Sequence, residues 1–176
     1  MTKEQKFLLK LLGNFTASEI ETLLAEGIDW QVFIKTAFSQ RVFPLIFLKL
    51  QPFFSKIPPN VQREFEKKSE LVVMENLRLN GELINLANLL TDNKIEFIAY
   101  KGATLAQLAY NDLSLRQFGD LDILIRKKDF SRVKKIILEN GGKRYAIPIT
   151  IPQAKRHEWA QCVADEVGIE VLADVA

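Results

Sequence analysis

YKGATLAQLAYNDLSLRQFGDLDILI, residues 100–125, is the stretch on which the fold turns. A lysine-glycine pair precedes a helix-like segment, and two aspartates then stand one residue apart inside an apolar run. Side chains alternate across a strand, so Asp120 and Asp122 share one face while Leu121 and Ile123 take the other. A buried carboxylate is costly unless something positive meets it, and two on one face double the cost. Either that face is wet, or a cation is expected there. The two carboxylates stand about 7 Å apart along a strand. When a third ligand joins them they can share a divalent ion such as Mg2+, which keeps waters and completes its shell with phosphate oxygens; Mn2+ is the alternative.

Phosphates need a cradle of their own, and the upstream half of the stretch supplies one. A strand runs into Lys101-Gly102 and a helix begins there. N–H groups at a helix start, with its partial positive charge, form a ready anion site. Gly102 removes a Cβ from that approach, Thr104 adds a hydroxyl in the first turn, and Lys101 adds a charge. Gly119 is expected to let the strand bend or approach closely. Taken singly, a D-x-D strand is usually a solvated face and K-G before a helix says little. Strand, glycine turn, helix and D-x-D strand in succession say more.

Upstream, residues 1–93 read as a helical region. Phe7, Leu8, Leu11 and Leu12 recur at helical spacing, with Gly13-Asn14 as the stop. TASEIETLLAEG (residues 16–27) opens on Thr16 or Ser18 as cap and closes at Gly27. DWQVFIKTAF supplies a further helix, with Trp30 and Phe33 as core, and RVFPLIFLKLQPFF another, interrupted at Pro44. After Pro58-Pro59 one long amphipathic pattern runs to Asp92-Asn93, with Gly81 its only weak point. Leu71, Met74, Leu77, Ile84, Leu86 and Leu90 are its expected buried stripe.

At Lys94 the texture changes, and residues 94–176 read β-α-β-α-β-β-β. KIEFIAY and FGDLDILI are strands, KDFSRVKKIILENGG is a helix closed by glycine, and KRYAIPI is a strand. HEWAQCVADE and GIEVLADVA form a strand pair around Gly168. The fold class is α+β: a small mixed sheet with packed helices, preceded by the helical region. The last residues still alternate as a strand, so a longer protein with a further C-terminal subdomain is expected.

Composition narrows the function classes. In 176 residues the hydrophobic fraction is 48% and the net charge only +2, a globular chain without the basic excess of a histone-like nucleic-acid binder. The single Cys162 excludes an internal disulfide and a multi-cysteine zinc cage, and it reads as a small buried hydrophobe in a reduced compartment. No signal sequence and no membrane-length apolar run is present, which predicts a cytoplasmic protein. His157 reads as solvated and Tyr110 as packing, while the basic run RKKDFSRVKK fits either a nucleic-acid contact or the wet face of a helix.

The succession KGATLAQLAY…LRQFGDLDILI resembles the polymerase-beta-like nucleotidyltransferase superfamily, and within it a poorly characterised bacterial branch. Lys101, Gly102, Tyr110, Arg116, Asp120 and Asp122 match in order. FSQRVFPLIFLKL upstream and the GG after the later helix extend the likeness over most of the chain. The resemblance implies a nucleotidyltransferase-like fold, Asp120 and Asp122 as metal ligands, and Gly102 with Ala103 against nucleotide phosphates. It also implies Arg116 as a phosphate or transition-state contact, which a planar guanidinium suits.

Two departures stand out. Ala103 occupies a position where the superfamily carries Ser or Gly, leaving Thr104 to supply the hydroxyl. The third carboxylate, Glu170 or Asp174, lies in GIEVLADVA, where the branch has an acid followed by LHW-like residues and this chain runs VLADVA instead. Glu170 is the expected choice, completing the Asp120, Asp122, Glu170 set. The implied reaction moves a nucleoside monophosphate from a nucleoside triphosphate, ATP included, to an acceptor hydroxyl on a small molecule, a protein or an RNA end. The alternative is a catalytically weak nucleotidyltransferase-like module that binds nucleotide or a partner protein. An intact metal-dependent nucleotide site separates the two.

Overall fold

The computed structural model describes residues 1–13 and 16–140, and the backbone of residues 169–175. The first three helix starts are set by side-chain caps. Helix α1 (Lys3–Leu12) opens on Thr2, whose hydroxyl accepts from the Gln5 N–H while the Gln5 side chain accepts from Thr2 N–H. Helix α2 (Ala17–Ala25) repeats this reciprocal box with Thr16 and Glu19, so Thr16 rather than Ser18 is the cap. Asp29 caps helix α3 (Trp30–Ser39) through Val32 N–H. Helix α4 (Phe43–Leu50) carries Pro44 in its first turn, where the missing N–H has no helical partner to lose. The expected interruption at Pro44 is therefore a beginning. A 3-10 segment, Gln51–Lys56, leads on to helix α5 (Pro59–Asp92), 34 residues long and unbroken at Gly81.

Two compact units form. The first takes residues 1–76 and 112–117, and its core is aromatic. Phe7, Phe33, Phe43 and Phe65 are completely buried. Phe65 lies nearly parallel to Phe43 at 5.4 Å and to Phe47 at 6.4 Å, and meets Trp30 edge-on at 6.2 Å. Each such ring removes about 1.5–3 kcal/mol of apolar surface energy from water, and the ring pairs add to it.

The second unit takes residues 77–111 and those from Phe118 onward. It contains β1 (Phe97–Ala99), α6 (Gly102–Tyr110), β2 (Leu121–Arg126), α7 (Phe130–Glu139) and β3 (Ile169–Val175). Its core is aliphatic: Leu86, Leu90, Ile95, Ile123, Ile125, Val133, Ile136 and Ile137. The strands lie in the order β1-β2-β3. The α+β class is as expected. Both described pairings are antiparallel, whereas a mixed sheet was expected. The strands expected in KRYAIPI and HEWAQCVADE, with His157, Cys162 and Gly168, lie outside the described residues. Secondary structure changes near residue 94, as the sequence suggests, but compactness divides inside α5, between Asn76 and Leu77.

The buried stripe of α5 differs from the expected one. Val61, Phe65, Val72, Asn76, Leu79, Leu86 and Leu90 are buried, whereas Leu71, Met74, Leu77 and Ile84 are exposed. The helix carries two apolar stripes, and only packing selects between them. Asn76, the one amide in the buried stripe, sits where an aliphatic residue would be expected. Its Nδ2 donates to the carbonyls of Leu113 at 2.7 Å and Arg116 at 2.8 Å, which ties residues 112–117 to the first unit. Asn76 Oδ1 and Gln117 Oε1 are buried with no hydrogen-bond partner among the described residues.

Candidate active site

The site is built on β1, β2 and the turn between β1 and α6. Ala99 pairs with Ile123, and the ladder continues with Tyr100 N–H donating to the Asp122 carbonyl at 3.4 Å. Ile123 and Ile125 pack into the aliphatic core, so Asp122 belongs to the other face of the strand. Even so, only 4% of the Asp122 side chain is exposed. The next residue after Tyr100 meets it: Lys101 Nζ stands 3.9 Å from Asp122 Oδ2 and 5.0 Å from the centre of the Tyr100 ring.

These neighbours fix the charge on Lys101. Burial pulls its ammonium toward the neutral form. The neighbouring Tyr100 side chain and the negative charges of Asp122 and Asp120 outweigh that pull, so its pKa lies above the ordinary lysine value. Asp122 therefore faces a permanent cation at neutral pH.

Gly102 begins α6 with φ of +55°, a left-handed value that a side chain resists. A Cβ there would come within 3.2 Å of the Asp120 carbonyl oxygen and 3.7 Å of Phe118 Cδ2. Glycine thus lets the helix start seat directly on the backbone leading into β2. The close approach expected at Gly119 is made at Gly102 instead, since a Cβ on Gly119 would meet nothing within 4 Å. Lys101 at the N-cap has no side-chain acceptor for the first turn of α6, which leaves this end suited to an exogenous anion.

Of the expected site residues, Lys101, Gly102, Asp120 and Asp122 gather in the second unit. Asp120 lies one residue ahead of β2, with its backbone against Gly102. Ala103 is buried and Thr104 half-buried in the first turn of α6. Arg116 follows a 3-10 turn, Leu113–Leu115, and belongs to the first unit, its carbonyl held by Asn76.

For β3 the backbone register is informative. Glu170 pairs with Ile125, three residues along β2 from Asp122, whereas Val175 pairs with Leu121. The irregularity between Leu121 and Ile123 leaves Ala173 and Asp174 alongside Asp122. Among the described residues no three His, Cys, Asp or Glu side chains gather as a metal cluster. The described site is a pair of aspartates.

Two residues escaped sequence reading. Tyr100, the platform beside Lys101, looks like the last apolar residue of a strand, and its place next to Lys101 was the only clue. Asn76 could have been found as the amide at a helical position between Val72 and Leu79. Three of the six basic residues in the run from Arg126 to Lys135 make described contacts: Arg126 pairs with Glu96, Arg132 donates to the Asn93 carbonyl at 2.7 Å, and Lys135 pairs with Glu139. No helix among the described residues is long and apolar enough to cross a membrane.

No curated protein and no solved structure matches the chain. Residues 26–172 match a family described as uncharacterised nucleotidyltransferase, a span that holds the Lys101-Gly102 turn, both aspartates and most of the two units. The chain belongs to that nucleotidyltransferase family.

Proposed function

We propose that the protein transfers a nucleoside monophosphate from a nucleoside triphosphate to an acceptor hydroxyl, with Asp120 and Asp122 holding Mg2+ or Mn2+. The observation that carries this reading is the buried Asp122 carboxylate set against the Lys101-Gly102 helix start. A carboxylate so enclosed is retained at a cost unless it meets charge, and here it lies beside a turn suited to phosphate. The residues fit the ion: Mg2+ takes one or two protein carboxylates and completes its shell from water and phosphate oxygens. When bound, such an ion lowers the pKa of the attacking hydroxyl and steadies the pyrophosphate leaving group.

The chain's own residues do the remaining work. The first-turn N–H groups of α6 and the Thr104 hydroxyl hold the triphosphate, and Gly102 lets that helix start seat against the backbone entering β2. Lys101 offsets the negative charge of the triphosphate. The register of β3 favours Asp174 over Glu170 as a third carboxylate, because Glu170 is paired at the far end of β2. Asp174→Asn should then weaken Mn2+ binding, and Glu170→Gln should leave it near wild type. The reverse result would restore Glu170.

A second reading is supported by Ala103, buried where the superfamily has a phosphate-contacting Ser or Gly. In it the chain binds nucleotide without turnover, as a regulatory module or with a partner protein. Incubation with Mg2+, α-labelled nucleoside triphosphates and cell extract separates the two. Label transferred to an acceptor supports the enzyme. Metal-dependent triphosphate binding with no transfer supports the module, and triphosphate binding that ignores metal overturns both.

A further inference from the structure

We propose that Lys101 is the built-in counter-cation of this site, neutralising Asp122 until a divalent ion displaces it. The proposal rests on the reading that the aspartate pair binds metal.

The geometry carries it. Asp122 is 4% exposed, so in the metal-free chain its charge needs a partner that folding itself supplies. Lys101 is contributed by the residue following the one hydrogen-bonded to Asp122, so its ammonium is delivered by strand pairing rather than by chance. The separation of 3.9 Å is longer than the roughly 2.7–2.9 Å of a tight charge-assisted hydrogen bond. It is an attraction between charges, loose enough to be replaced by an ion with twice the charge at about 2.1 Å.

Lys101 also has room to leave. Its side chain is 35% exposed on a flexible four-carbon stem, and the Tyr100 face, 5.0 Å from Nζ, is a second place for a cation to rest. Metal and ammonium thus compete for one carboxylate. Once displaced, the ammonium stands at the start of α6, where the triphosphate is expected. The same residue would hold the site together when empty and offer its charge to the substrate when loaded. By linkage, triphosphate should then raise metal affinity more in the wild type than in a chain lacking this lysine.

Direct titration with Mn2+, without nucleotide, tests the competition. Wild type, Lys101→Met, Lys101→Gln, Lys101→Arg and Asp122→Asn are compared, with free Mn2+ read by electron paramagnetic resonance and Tm measured with and without the ion. Lys101→Met should bind Mn2+ on the order of tenfold more tightly than wild type, because a positive charge near the ion is gone. Its metal-free Tm should fall, and its rise on adding Mn2+ should exceed that of wild type. Lys101→Gln carries the same expectation if Lys101→Met does not fold, and Lys101→Arg should stay close to wild type. Equal or weaker Mn2+ binding by both uncharged variants, with binding lost in Asp122→Asn, would overturn this inference and leave the metal site standing. Absence of Mn2+ binding in the wild type and in the uncharged variants alike would instead overturn the metal reading, and the inference with it.

Discussion

The two units bury their cores by different means. In the first, rings pack on rings: Phe65 meets Trp30, Phe33, Phe43, Phe47 and Phe54, and the polar atoms buried beside them are those of the amides Asn76 and Gln117. In the second, smaller aliphatic side chains back a short antiparallel sheet whose other face encloses the Asp122 carboxylate. The first core gains apolar burial with no buried carboxylate among its described residues, while the second keeps a charge that an apolar residue could have replaced at less cost. Stability is expected to concentrate where the rings are, and the proposed chemistry where the charge is retained. Mutations in the two places should therefore move different measurements.

The largest expected effect is on stability in the ring cluster. Phe65→Ala should cost about 3–5 kcal/mol in denaturant unfolding, since it empties the centre of several ring contacts. A loss under about 1 kcal/mol would mean that the cluster is not the support it looks like. Asp120→Ala should do the opposite. Triphosphate affinity in Mg2+ should fall about a hundredfold, near 2.7 kcal/mol, while Tm holds, because Asp120 is only half-buried ahead of β2. Parallel loss of Tm and binding would make Asp120 structural and erase the contrast.

Asn76→Ala sharpens the comparison, because it removes two hydrogen bonds to residues 112–117. About 2 kcal/mol of stability should go, and Mn2+ affinity at the aspartates should be unchanged. Gly102→Ala comes next. Strain at φ +55° and contact with the Asp120 carbonyl should cost about 1–2 kcal/mol of stability, with a measurable drop in triphosphate affinity. The smallest effect belongs to the outer stripe of α5. Met74→Gln, at a side chain 68% exposed, should stay within about 0.5 kcal/mol of wild type by chemical denaturation.

Much of the local order was legible because it depends on neighbours in the chain. Capping at Thr16, the length of α5, the helix starting at Gly102 and the strand through Leu121–Ile125 all follow from short-range hydrogen bonding and periodicity. The Lys101-Gly102 turn and the aspartate pair were legible for the same reason, since chemistry concentrated in 22 residues leaves a pattern within 22 residues.

What the sequence could not decide are the matters that need a partner from elsewhere in the chain. Leu71 and Met74 satisfy helical periodicity as well as Val72 and Leu79 do, yet only the latter meet a core, because a helix has no inside until something packs on it. Asn76 is an unremarkable amide until the carbonyls of Leu113 and Arg116, some forty residues on, take its hydrogens. Glu170 and Asp174 have equal claims by parity, and the β2–β3 register with its irregularity is what places Asp174 alongside Asp122. Sequence alone fixed which residues carry charge near the Gly102 turn. Only tertiary pairing brought Lys101 within 3.9 Å of a buried Asp122, because burial is a property of the assembled sheet and not of any residue within it.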